Sequence, residues 1–203
     1  MLRYFASTPG FLDASVCRSM IYFSGQRLAQ ILRVTWADVG DDNSLRILEI
    51  KGKRIVAWEH VLPITPRILE IMKPLTMTKI CPGPFCLGKT VLRPDVLGKC
   101  FSDAGKALSE AGRTKYFTNR NIRVTCESMM AGLGITKEIR AWILSHGRRD
   151  VQGVHYDRYE YYDEKLNALI LWGTYLDRLE QGQTWNEKKI VLRKKTQLKL
   201  QLR

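Results

Sequence analysis

The chain has 203 residues, 45% of them apolar, which is enough for one domain with a full core. Its 33 Lys and Arg against 20 Asp and Glu leave a net charge of +13, an excess that favours a polyanionic partner, nucleic acid first, over the alternatives of a ribosomal, heparin-binding or membrane-surface protein. No apolar run reaches the eighteen residues of a spanning helix, and no leader with a basic end, an apolar middle and a small-residue cleavage site is present, so a cytoplasmic protein is expected.

Apolar residues at helical spacing (Leu12, Val16, Met20, Phe23) predict a first helix over Phe11 to Phe23. Ser24-Gly25 breaks it, and a second helix is expected from Gln26, with Leu28, Ile31 and Leu32 on one face. From Ser44 the pattern alternates through Leu45, Ile47, Leu48 and Ile50. A basic turn, Lys51-Gly52-Lys53-Arg54, and a second β-rich run to Ile64 then complete a hairpin near residues 44–64. Residues 74–95, rich in Pro and Gly, read as a connecting loop. Within it Cys81 and Cys86 flank P-G-P-F, but zinc would need two more ligands and no metal is assigned; the five cysteines read as reduced thiols.

Helical spacing resumes near Val96. Thr118 or Asn119 should cap a helix that passes Met130 and ends at Gly132 or Gly134. Thr136 should cap another, through Ile139, Trp142 and Ile143, that stops at Gly147. A last amphipathic helix is expected over Lys165 to Leu179, with Leu166, Leu169, Ile170 and Leu176 on its apolar face. The fold class is therefore α+β, mainly helical, with a small antiparallel sheet. Residues 1–182 form the domain and 183–203 a basic tail, with seven Lys or Arg against one Glu, that is either solvated or an edge strand needing a partner.

The segment L-S-H-G-R-R-D-V-Q-G-V-H-Y, from Leu144, places His146 ten residues before Tyr156. Upstream, Arg27 and Arg123 sit at helix openings. One tyrosine, two arginines and a histidine are what is needed to break and rejoin a phosphodiester without metal. A tyrosine hydroxyl, with a pKa of about 10, attacks phosphorus only if the phosphate charge is neutralised and its proton removed. Guanidinium groups suit the first task because each presents a planar, permanently charged fork to phosphate oxygens.

Four stretches in register resemble the catalytic domain of the tyrosine recombinases, the phage integrase family: S-G-Q-R-L-A-Q-I-L-R-V-T-W-A-D-V, F-T-N-R-N-I-R-V-T, A-W-I-L-S-H-G and H-Y-D-R-Y. The match covers roughly residues 10–180. It implies that Arg27 and Arg123 hold the scissile phosphate, that His146 bonds a non-bridging oxygen, and that Tyr156 is the nucleophile, ahead of Tyr159, Tyr161 and Tyr162. His155, adjacent to Tyr156, is a weaker candidate, and His60, in a strand, reads as structural. The resemblance also places a proton-donating lysine in the hairpin turn, Lys51 ahead of Lys53, with Lys53 and Arg54 on DNA backbone phosphates. Tyr156 would form a 3′-phosphotyrosyl link and free a 5′-hydroxyl, which a partner strand attacks, so no cofactor is implied.

Double-stranded DNA is the implied partner, with a monomer when free, a homotetramer on DNA, and a role in phage or mobile-element integration. Two departures stand out. Arg120 occupies the position of the second box's usual histidine; arginine does not accept a proton at neutral pH, so either another group is the base or Arg120 holds phosphate, the preferred reading. Gln30 replaces an acidic residue three after the first arginine. The family's N-terminal DNA-clamping domain is not in the sequence, so a fragment or a truncated relative is expected. A type IB topoisomerase-like enzyme is the nearest rival. A non-catalytic helix-turn-helix binder, built on residues 118–146, is the rival from another class, but it leaves Arg27 and Tyr156 unexplained.

Overall fold

The helix α2 (Leu12–Tyr22) sets the architecture, because apolar side chains surround it rather than line one face. Val16, Cys17, Met20, Ile21, Tyr22 and the following Phe23 are all buried. A computed structural model describes residues 1–7, 12–49, 58–76, 82–87, 90–145 and 161–183. In it α2 packs against α1 (Leu2–Ser7), α4 (Pro66–Thr76), α5 (Pro94–Glu110), α6 (Asn119–Gly132) and α8 (Tyr162–Glu180). α1, α3 (Leu28–Ile31) and α7 (Lys137–Ile143) are the short helices of the described set, with six, four and seven residues. Among the described residues no helix is long and apolar enough to cross a membrane.

The strands β1 (Ser44–Glu49) and β2 (Trp58–Pro63) form an antiparallel hairpin in register from Ser44 opposite Pro63 to Glu49 opposite Trp58. Leu45, Ile47 and Leu62 face the core and Leu48 faces solvent, the alternation that a sheet with one buried face requires. A second, two-residue hairpin pairs β3 (Cys86–Leu87) with β4 (Thr90–Val91). The fold is thus the mainly helical α+β class expected from the sequence.

Several local expectations are corrected. The helix expected from Gln26 is the single turn α3, since a 3-10 turn at Trp36–Asp38 soon follows it. Thr35 and Asp38 set that turn: Asp38 Oδ2 accepts from the Thr35 backbone at 2.8 Å and from its hydroxyl at 2.7 Å. The chain then enters the sheet through a bridge between Val39 and Leu45. α1 and α4 were not expected. α1 has only six residues, too few to show a period. α4 opens on a proline at its first position, where no N–H is needed, and buries Ile68, Ile71 and Met72. The supposed 74–95 loop contains the end of α4, the small hairpin and the start of α5. On α8 the buried face is Lys165, Ala168, Leu169, Trp172, Tyr175 and Leu176, whereas Ile170 is exposed.

Polar contacts secure the far end of α8. Trp172 Nε1 donates to the Ile21 carbonyl at 2.9 Å. Tyr22 Oη donates to Asp177 Oδ1 at 2.7 Å, Arg67 Nε reaches the same oxygen at 2.7 Å, and the Arg67 guanidinium lies over the Tyr22 ring. Arg18 forks onto both carboxylate oxygens of Glu180, at 2.9 and 3.1 Å, while Arg3 Nε donates to the Glu180 carbonyl at 2.8 Å. Burial, and then the bond to Asp177, push the Tyr22 hydroxyl well above the usual tyrosine range.

Candidate active site

The turn after α2 carries the first arginine. Gly25 N bonds back to the Met20 carbonyl at 2.7 Å and Ser24 N to Ile21 at 2.9 Å, closing the helix with two successive left-handed residues, Ser24 (φ 66) and Gly25 (φ 71). Arg27 follows as the N-cap of α3, half-buried. Gly25 is required for more than its φ. A Cβ there would lie 2.8 Å from Arg123 Cα and 3.2 Å from Arg123 N, so the turn rests on the backbone of α6.

α6 is positioned from its start. Asn121 Oδ1 accepts from both the Thr118 backbone N–H and its hydroxyl, each at 3.0 Å, which explains the T-x-x-N spacing as a reciprocal cap. Arg123 stands on the second turn. Its Nη1 donates to the Gly25 carbonyl at 3.0 Å and its Nη2 to the Leu144 carbonyl at 2.5 Å. One guanidinium therefore ties the turn before Arg27 to the end of α7. Arg120, one turn earlier, is exposed. Cys126, one turn later, is buried beside a cavity of about 310 Å³ that Ile122, Met129 and Trp172 also line. Burial pushes its thiol up to about 12.

α7 ends at Ile143, earlier than the expected stop at Gly147, with Leu144 as C-cap and Ser145 at φ 53. Its last carbonyls are taken by side chains from other elements. The Ile143 oxygen accepts from Gln26 Nε2 at 2.9 Å and lies 3.1 Å from His60 Nε2. Gln26, in the first arginine's turn, and His60, on β2, are both buried. Nothing in the spacing singled out Gln26; the signal available was a long polar residue between Gly25 and Leu28, both of which pack inward.

α8 begins beside the same corner. Tyr161, at φ 51, stacks on Trp142 with ring centroids 4.8 Å apart. Tyr162 Oη donates toward the carbonyls of Asp42 and Asn43 at 3.2 and 3.3 Å, and burial, followed by the Asp42 and Asp163 carboxylates, raises its pKa. Lys165, buried, donates through Nζ to the Val61 carbonyl on β2. Tyr162 is thus held against the loop that leads into the hairpin by its hydroxyl.

The structure brings together Arg27, Arg123, the end of α7, the start of α8 and the hairpin strands. Of the other candidates, Lys51, Lys53, Arg54, His146, His155, Tyr156 and Tyr159 lie outside the described residues, as do Cys81 and, apart from Gln183, the basic tail. Among the described residues no group of three His, Cys, Asp or Glu side chains is placed to hold a metal ion.

No family model and no curated protein matches the sequence. Solved structures do match. An integrase from mycobacterium phage Brujita superposes with a TM-score of 0.59 at 12% identity, over 83% of this chain and 54% of that one. The XerA recombinase superposes with a TM-score of 0.53 at 18% identity, over 87% of this chain and 61% of that one. The chain therefore has the fold of a tyrosine recombinase catalytic domain, the class that the boxes around Arg27 and Arg123 resemble. It spans between half and two thirds of the length of each of these two structures, one a phage integrase and the other a recombinase.

Proposed function

We propose that this chain is the catalytic domain of a site-specific DNA recombinase or integrase that cleaves and rejoins strands through a phosphotyrosine. The observation that carries the reading is the junction at Arg123: its guanidinium joins the turn that carries Arg27 to the end of the helix that leads to His146. Three of the sequence boxes, far apart in the chain, would otherwise have no reason to meet. A helix-turn-helix binder would need α6 and α7, but not the turn of Arg27 packed on Arg123.

In this reading Arg27 and Arg123 neutralise the scissile phosphate and stabilise the charge that builds on its equatorial oxygens, a contribution of about 3 kcal/mol for a well-placed donor. Arg123 is held at two backbone carbonyls, so its position is set before DNA arrives. Tyr156 Oη attacks phosphorus and forms the 3′-phosphotyrosyl bond while the bond to the 5′ oxygen breaks. Lys51, ahead of Lys53, gives that oxygen its proton, and His146 bonds a non-bridging oxygen. The 5′-hydroxyl of a partner strand then attacks the phosphotyrosine and releases Tyr156, so the bond energy is conserved. Arg120 holds phosphate where relatives place a histidine, and Lys53 and Arg54 contact the backbone. The partner is double-stranded DNA, bound by a tetramer of chains that are monomeric when free. Residues 1–182 do the chemistry, and the basic tail 183–203 contacts a neighbour. Binding rests mainly on backbone phosphates and weakens steeply with salt. The role fits a phage or mobile element acting in the cytoplasm.

The test uses a pool of duplexes randomised around a nick placed beside the scissile bond, so that cleavage releases a short fragment and traps the covalent complex. A denaturant-resistant adduct mapping to Tyr156, lost in Tyr156→Phe, Arg27→Ala and Arg123→Ala, is the expected result. No adduct from the wild-type chain, or one that survives Tyr156→Phe, would sink the reading.

A further inference from the structure

We propose that Gln26 and His60 are positioning residues of the cleavage chemistry, which jointly fix the exit of α7 by holding the Ile143 carbonyl. The inference rests on the recombinase reading above and adds two residues to it. The last carbonyls of a helix have no partner within it and, where the helix end is buried, must be met by groups from elsewhere. Here the Ile143 oxygen is met by two buried side chains, Gln26 at 2.9 Å and His60 at 3.1 Å. Buried polar side chains are uncommon, and each needs a reason.

Their places in the chain supply one. Gln26 immediately precedes Arg27, and His60 lies on β2, the strand that follows the segment containing Lys51 and Lys53 in sequence. Ile143 is three residues before His146. A single oxygen is thus the meeting point of the three stretches that carry the proposed arginine, lysine and histidine. The bonds are directional, which apolar packing is not.

Gln26 is also held at its other amide hydrogen, since Nε2 donates to the Phe23 carbonyl at 2.9 Å. Both of its donors are committed, one within its own turn and one across to α7. A carbonyl accepts and cannot donate, so His60 bonds it only with a proton on Nε2. His60 therefore acts at this atom as a fixed donor rather than as a base. Misplacement of a reacting group by about 1 Å costs roughly a hundredfold in rate, which is the scale on which such a clamp acts.

The experiment measures single-turnover adduct formation on the nicked duplex pool with saturating protein, alongside the DNA dissociation constant and the thermal midpoint. His60→Phe keeps a ring and removes the donor; Gln26→Met keeps the length and removes both donors; His60→Gln restores a donor near Nε2. We expect His60→Phe and Gln26→Met to slow cleavage about ten- to a hundredfold, with DNA affinity changed less than about twofold. The double variant should be little slower than the worse single one, because both side chains serve one acceptor. His60→Gln should recover most of the rate. A wild-type rate in His60→Phe, or a loss that merely follows DNA affinity or the folded fraction, overturns the proposal. If the wild-type chain forms no adduct, the recombinase reading fails separately, and hydrogen exchange decides the clamp. Faster exchange of the Leu144 and Ser145 amides in His60→Phe, reversed in His60→Gln, supports it, and unchanged exchange overturns it.

Discussion

Gly25 presses directly on the backbone of Arg123: a single added methyl at Gly25 would lie 2.8 Å from Arg123 Cα. The neighbour is main chain in a helix and has no rotamer with which to yield. Gly25→Ala therefore combines a left-handed alanine, at about 1–2 kcal/mol, with a displaced α6. A fall of about 2–4 kcal/mol in unfolding free energy is expected by urea titration, with adduct formation reduced more than stability alone accounts for. A stability within about 0.5 kcal/mol of wild type would show that the turn and α6 separate freely.

Arg120 and Arg123 share one helix but not one environment. Arg123 is pinned by two carbonyls, whereas Arg120 is exposed one turn earlier. If Arg120 holds phosphate, Arg120→His changes the adduct rate less than about threefold and Arg120→Ala lowers it by about tenfold or more. A large gain in Arg120→His would instead mean that this chain lacks a base that histidine provides.

The far end of α8 separates a useful ion pair from a decorative one. Asp177 accepts from the buried Tyr22 hydroxyl and from Arg67, while Glu70 meets the same Arg67 with 59% of its side chain exposed. Asp177→Ala leaves the Tyr22 hydroxyl without its acceptor and should cost about 2–3 kcal/mol. Glu70→Ala should stay within about 0.5 kcal/mol. Equal losses, measured by chemical denaturation, would contradict the partition.

Cys126 gives a pH signature. Burial raises its thiol from 9.0 to about 12, so the folded chain keeps this proton through a range where the unfolded chain loses it. Stability from this group is complete below pH 9 and falls as pH rises toward 12. The stability gap between wild type and Cys126→Ala should shrink by about 1 kcal/mol per pH unit above pH 9. The same burial should make the native thiol unreactive toward maleimide at pH 7 until the chain unfolds. A constant gap across that range would mean that the thiol is hydrated in the folded chain.

How far the sequence carried these conclusions differs by kind of feature. Elements with a long period were legible: α2, α5, α6 and the β1–β2 hairpin all announce themselves by spacing and caps. α1 and α3 are too short for a period, and α4 is masked by the Pro74 that marked a loop. The stop of α7 at Ile143 was not legible either, because the chain turns at Ser145, a left-handed serine, rather than at the glycine that usually signals such a turn. At the site, Arg27 and Arg123 could be chosen from their boxes. Gln26 and His60 could not, since what distinguishes them is a shared acceptor 117 and 83 residues away in sequence, respectively.

The bond from Arg3 to the Glu180 carbonyl, with Arg18 forked on the Glu180 carboxylate, joins the first helix of the domain to the last turn of its last helix. Traced as a path, the described domain is therefore almost a ring. A short linker from Gly182 back to Met1 would close it, and new ends could be opened at the exposed turn of Gly112 and Arg113, which lies on the surface between α5 and α6. Such a rearranged chain would keep every contact around Arg123 while beginning and ending between α5 and α6. The order in which the boxes are strung would then be separable from the geometry that unites them.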